Sequence, residues 1–92
     1  MESKIEIIQI NISGEDKPGM TSSLTDILAR YDAFILDIGQ ANIHQSLTLG
    51  ILFMTTSDKS GAILKELLFK ASELGVMIRF TPITEEHYQA WV

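Results

Sequence analysis

Ile8, Ile10 and Ile12 alternate with Gln9 and Asn11, and this period of two predicts a β-strand over residues 4–13. Ile5 and Ile7 fall on the opposite face, so the strand is expected to be covered in part on both sides. The period then changes. Met20, Leu24, Ile27, Leu28 and Tyr31 share one face of a helix, with Thr21, Ser22, Ser23, Thr25 and Asp26 on the other. The hydroxyls near its start predict a capped N-terminus. Residues 33–44 read as a second strand. Ala33, Ile35, Asp37, Gly39, Ala41 and Ile43 are expected on one face, and Phe34, Leu36, Ile38, Gln40, Asn42 and His44 on the other. Gly39 inside that run predicts a bulge or a close backbone approach.

His44-Gln45-Ser46 breaks two strand-like runs and predicts a hairpin into a third strand, 47–56. Ser57-Asp58 offers an N-cap to a second helix, whose stripe is Ile63, Leu64, Leu67, Leu68, Ala71 and Leu74, and Gly75 is expected to close it. Residues 76–83 read as a fourth strand with Pro82 near its end. Thr84-Glu85-Glu86 resembles a helix start, and Tyr88, Trp91 and Val92 follow at helical spacing. The order is β-α-β-β-α-β with a short C-terminal helix. That order predicts an α+β, ferredoxin-like domain, a four-stranded antiparallel sheet with both helices on one face. The domain is expected over residues 1–83, with 84–92 as a linker toward a following domain.

Composition narrows the function. Ninety-two residues make one small domain with a thin stability margin, so a partner surface or dimer interface would help. Hydrophobic residues at 46% and charged residues at 21% suit a globular fold and not a disordered one. The net charge of −5, with seven scattered Lys and Arg, argues against nucleic acid or an anionic membrane as partner. There is no cysteine, which removes disulfides and thiolate zinc sites and fits a cytoplasmic protein. His44 and His87 show no metal-ligand spacing, and no nucleophile motif surrounds Ser22, Ser46 or Ser57.

The candidate chemistry lies between the first strand and the first helix. Asp16-Lys17-Pro18-Gly19-Met20 is a polar loop with a Pro-Gly step at a helix mouth, where outward N–H groups can hold a small anion or carboxylate. An ordinary surface turn would use Pro and Gly in the same way. Asp37, among apolar residues, either meets water or a lysine near the sheet edge or serves a ligand or an interface. Gln40 and Asn42 share a face that is either solvated or part of an interface.

This loop in this element order resembles the ACT domain family, small ligand-binding modules attached to metabolic enzymes. Ile35-Leu36-Asp37-Ile38-Gly39-Gln40-Ala41, Ile43-His44, Leu49-Gly50-Ile51-Leu52, Leu67-Leu68-Phe69-Lys70-Ala71, Arg79-Phe80-Thr81-Pro82-Ile83 and Tyr88, Trp91 and Val92 resemble the N-terminal regulatory region of bacterial phosphoserine phosphatases. The resemblance implies an amino-acid ligand, L-serine, and pairing with a second such domain as a homodimer or tandem. It implies a site at Asp16, Lys17, Pro18, Gly19, Met20, Asp37 and Gln40. It places the catalytic domain beyond Val92, and magnesium only there. The Asp-x-Asp-Gly-Thr nucleophile motif does not occur in this chain, so no cofactor and no phosphatase chemistry are expected of it. In a related serine-feedback dehydrogenase the ligand is held by a His and two Asn. The matching positions here are Gly14, Asp16 and Phe34, all different. Asp16 can receive an ammonium group, the N–H groups at Gly19 and Met20 a carboxylate, and Phe34 has no amide to offer. A scaffold without any small ligand is the rival reading.

Overall fold

A computed structural model describes residues 4–83. The elements run β1 (Ile5–Glu15), α1 (Met20–Arg30), β2 (Phe34–Ile43), β3 (Ser46–Thr56), α2 (Ser57–Leu74) and β4 (Met77–Ile83). The strands form one antiparallel sheet in the order β2-β3-β1-β4. This is the expected ferredoxin-like arrangement, with β2 and β4 at the edges. The expectation of a C-terminal helix, with Tyr88, Trp91, Val92 and His87, falls outside the described residues.

The alternating isoleucines fix which face of the sheet meets the helices. Ile8, Ile10 and Ile12 pair with Phe53, Ile51 and Leu49 across β1 and β3. All six pack with Met20, Leu24, Ile27 and Leu28 of α1 and Ile63 and Leu67 of α2. Removing one such side chain from water is worth roughly 1.5–3 kcal/mol, so this layer holds the domain together. β4 lines the same layer with Ile78 and Phe80. The other face is covered by neither helix. Ile5, Phe34, Ile43 and Met77 stand on it, each more than three-fifths exposed.

Several boundaries differ from the sequence expectation. β1 runs on through Gly14 to Glu15, because both pair with the start of β3. Gly14 points toward the helices, where a Cβ would come within 2.8 Å of Val76 Cγ1. Close approach to the turn before β4 therefore requires glycine there. α2 begins at Ser57 with Thr56 as its N-cap residue, one position earlier than expected. The bulge in β2 is not at Gly39. Ile35 pairs with Phe53 and Asp37 with Leu52, so Leu36 is the extra residue. A bulge reverses the facing of everything after it. Ile35 faces the helices, while Asp37, Gly39, Ala41 and Ile43 turn to the open face and Ile38, Gln40 and Asn42 to the helix side. The expected single face for Ile35, Asp37, Gly39, Ala41 and Ile43 is thus corrected.

Both helices end on the same device. Gly75 donates to the Ser72 carbonyl and Val76 to that of Ala71. Asp32 donates to Ala29 and Ala33 to Leu28 in the same pattern. The left-handed residue is Gly75 in one case and Asp32, at φ 57°, in the other. An aspartate in that conformation carries no glycine signal, so the first stop was not legible in the sequence.

Candidate ligand-binding site

Lys17-Pro18-Gly19-Met20 forms a β-turn. Met20 donates to the Lys17 carbonyl at 3.2 Å, and Gly19 sits at φ 76°, ψ 6°. Proline at the second position and a left-handed glycine at the third define a type II turn. Gly19 is also the N-cap residue of α1, and no side chain caps it. The expected hydroxyl cap is therefore corrected. Ser22 and Ser23 instead donate back to the Gly19 carbonyl, at 3.1 and 2.8 Å. Of the first-turn N–H groups, those of Met20 and Ser23 are taken by the Lys17 and Gly19 carbonyls, so the expected Met20 donor is corrected, and those of Thr21 and Ser22 are left without an acceptor among the described residues, as an anion site requires.

The rest of the corner comes from β2 and the loop. Asn42 Nδ2 donates to Asp16 Oδ2 at 2.7 Å, Gln40 Nε2 to Asn42 Oδ1 at 2.9 Å, and Thr21 Oγ1 to Gln40 Oε1 at 2.9 Å. Asp16 also donates its backbone N–H to the Gln45 carbonyl at 2.8 Å, which ties the loop to the β2–β3 hairpin. His44 opens that hairpin at φ 56°.

The structure gathers only some of the residues expected at the site. Asp16 and Gln40 are joined through Asn42 at this corner, Gly19 is the N-cap of the adjoining α1, and Met20 is the buried side chain at the start of that helix. Lys17 turns away, its Nζ donating to the carbonyl of Leu74 at the end of α2. There it satisfies an orphan carbonyl and opposes the helix dipole, an anchoring role. Asp37 lies on the opposite face of the sheet, and its Oδ1 accepts from the N–H of Ile38. It does not join the corner. Of Gly14, Asp16 and Phe34, only Asp16 reaches it, since Phe34 stands exposed on the open face. Asn42 and Thr21 complete the corner instead. Their signal was the amide alternation in Gln40-Ala41-Asn42 and a hydroxyl in the first helical turn.

A separate groove of about 420 Å³ lies between α1 and α2, lined by Ile27, Arg30, Tyr31, Glu66, Phe69 and Lys70 among others. Most of its charges are paired with one another, while Lys65, which also lines it, makes no ion pair among the described residues. Arg30 reaches Asp26 at 3.8 Å and Glu66 at 3.3 Å, and Lys70 reaches Glu73 at 3.3 Å. The corner, by contrast, keeps carboxylate and N–H capacity open.

Comparison with known proteins bears on the fold and the family. The chain is 38% identical over 52 residues to phosphoserine phosphatase SerB2 of Mycobacterium tuberculosis, a match that covers 56% of this chain and 12% of that protein. Among solved structures, a protein assigned as a glycine cleavage system transcriptional repressor superposes with a TM-score of 0.82 at 15% identity, over 87% of this chain and 47% of that one. An ACT domain protein from Streptococcus pneumoniae gives 0.71 at 20% identity, over 84% and 89%. These two likenesses show the fold. The profile of the ACT domain matches residues 6–81, and the chain belongs to the ACT domain family.

Proposed function

We propose that this chain is a regulatory amino-acid-binding domain, that its ligand is L-serine, and that it serves a phosphoserine phosphatase whose chemistry resides in another domain. The observation that carries the reading is the corner at Asp16. A carboxylate oxygen lies open there beside the uncapped start of α1. An α-amino acid presents an ammonium and a carboxylate on one carbon, and those two features answer them. The likeness of part of this chain to SerB2 favours serine among amino acids. The setting is the cytoplasm, where serine metabolism runs, and no helix of the described residues is long and apolar enough to cross a membrane.

Regulation requires that serine bind one domain arrangement better than another. The exposed Phe34, Ile43 and Met77 favour pairing with a second copy or a second ACT domain. The same surface favours the second reading, an assembly scaffold without ligand. Isothermal titration calorimetry with L-serine, glycine and phosphoserine, with mass measured by light scattering in the same buffer, separates the two. Saturable heat from L-serine, at one site per chain or per pair, is the expected result. A stable dimer that gives no heat with any of them would leave the scaffold.

A further inference from the structure

The three hydrogen bonds of the corner run in one direction, from Thr21 through Gln40 and Asn42 to Asp16. Their direction follows from donor and acceptor chemistry. An ionised carboxylate only accepts, a carboxamide has one donor end and one acceptor end, and a hydroxyl does either. With Asp16 at the terminus, Asn42 must turn its NH2 toward it. The Asn42 oxygen then faces Gln40, which must answer with its own NH2. Gln40 Oε1 is left for Thr21, whose hydroxyl must donate. One charge thereby orders two amides and a hydroxyl on three elements, the loop, β2 and α1. Asp16 has a second oxygen, Oδ1, with no partner among the described residues.

We infer that this relay is locked by Asp16, and that Asn42, Gln40 and Thr21 are positioning residues that hold Oδ1 open for an ammonium group and make the corner select ammonium over a neutral substituent. The selection part rests on the amino-acid reading above, whereas the locked relay stands without any ligand. The three bonds are solvent-exposed, so their order comes from the acceptor-only end at Asp16 and not from a shielded interior. A carboxylate so held discriminates better than one free to rotate, since less ordering accompanies binding.

The relay is read first without ligand. In the 15N-labelled protein, Asp16→Asn removes the acceptor-only terminus, so the amides are free to reverse. The side-chain NH2 resonances of Gln40, which does not touch Asp16, are expected to shift, while those of Gln9 on the open face stay in place. Unmoved Gln40 signals would overturn the relay. Selection is read with L-serine against L-glycerate, in which a hydroxyl replaces the ammonium. The parent chain is expected to prefer L-serine, and Asp16→Asn to shrink that preference to within about 3-fold. Thr21→Val should weaken L-serine binding about 3- to 10-fold, the effect of one lost hydrogen bond, with Thr21→Ser restoring it. An equal loss for both compounds in Thr21→Val would reduce these residues to structural support and overturn the positioning role. Failure of the parent chain to bind L-serine, with the Gln40 shift present, would overturn the ammonium assignment and the serine reading together and leave the locked relay standing.

Discussion

The chain contains the same polar tripeptide pattern twice, Gln9-Ile10-Asn11 on β1 and Gln40-Ala41-Asn42 on β2. In both, the glutamine amide donates to the asparagine oxygen two residues on. On β1 that bond measures 3.4 Å and neither amide makes a further side-chain bond among the described residues. On β2 it measures 2.9 Å, and the pair continues into Asp16 on one side and Thr21 on the other. The difference is not in the strands. The β1 pair sits on the open face, far from any helix end, while the β2 pair faces the loop and the first turn of α1. Identical local chemistry becomes a connected corner only where the topology brings a charge and a helix terminus to meet it.

That comparison can be broken at several points. The largest effect is expected in the backbone beneath the loop. Gly14→Val adds atoms where a Cβ alone would lie 2.8 Å from Val76 Cγ1, and should cost about 1–3 kcal/mol in urea unfolding at fixed protein concentration. Gly39→Val on the open face, where nothing lies within 4 Å of a Cβ, should stay within about 0.5 kcal/mol. Next, Asn42→Asp sets a second carboxylate against Asp16 across a 2.7 Å contact. It should abolish L-serine binding in calorimetry, whereas Asn11→Asp on the open face should leave affinity within about 2-fold, since it alters no corner group. Gly19→Ala forces a side chain into the left-handed region at φ 76°. A cost of about 1 kcal/mol in stability, with weaker binding, is the expected result. Last and smallest, Lys17→Met frees the Leu74 carbonyl at the end of α2. Thermal melting should fall by a few degrees, equivalent to less than about 1 kcal/mol, with serine affinity nearly unchanged. A large loss of affinity there would return Lys17 to the binding site.

Much of the fold was legible because burial wrote it into the sequence. The isoleucine alternation of β1 and the helical stripe from Met20 to Leu28 follow from burial acting locally, and the Gly75 stop from the left-handed backbone that glycine adopts without strain. Leu36 was invisible as a bulge because an apolar residue in an apolar run carries no sign of being unpaired. Its consequence was large, since the extra residue sends Ile35 and Asp37 to opposite faces. Gly39 drew attention in its place, although the sheet around it is regular. Of the proposed site, Pro18 and Gly19 announced the turn, and Asp16 the carboxylate. Asn42 and Thr21 belong to it through bonds that span 26 and 19 residues, and local pattern does not encode separations of that kind. The Lys17 contact was hidden for the same reason, its partner lying 57 residues away.

The central claim is that the loop corner, and not the open face or the interhelical groove, receives the amino acid. A 1H–15N correlation titration of the labelled chain with L-serine tests it most directly. Saturating shifts at Gly19, Met20, Thr21 and Ser22 and in the side-chain amides of Gln40 and Asn42, with Gln9 and Asn11 unmoved, are the predicted result. Shifts confined to Gln9, Asn11 and Asp37, or to Arg30, Glu66 and Phe69, would contradict it.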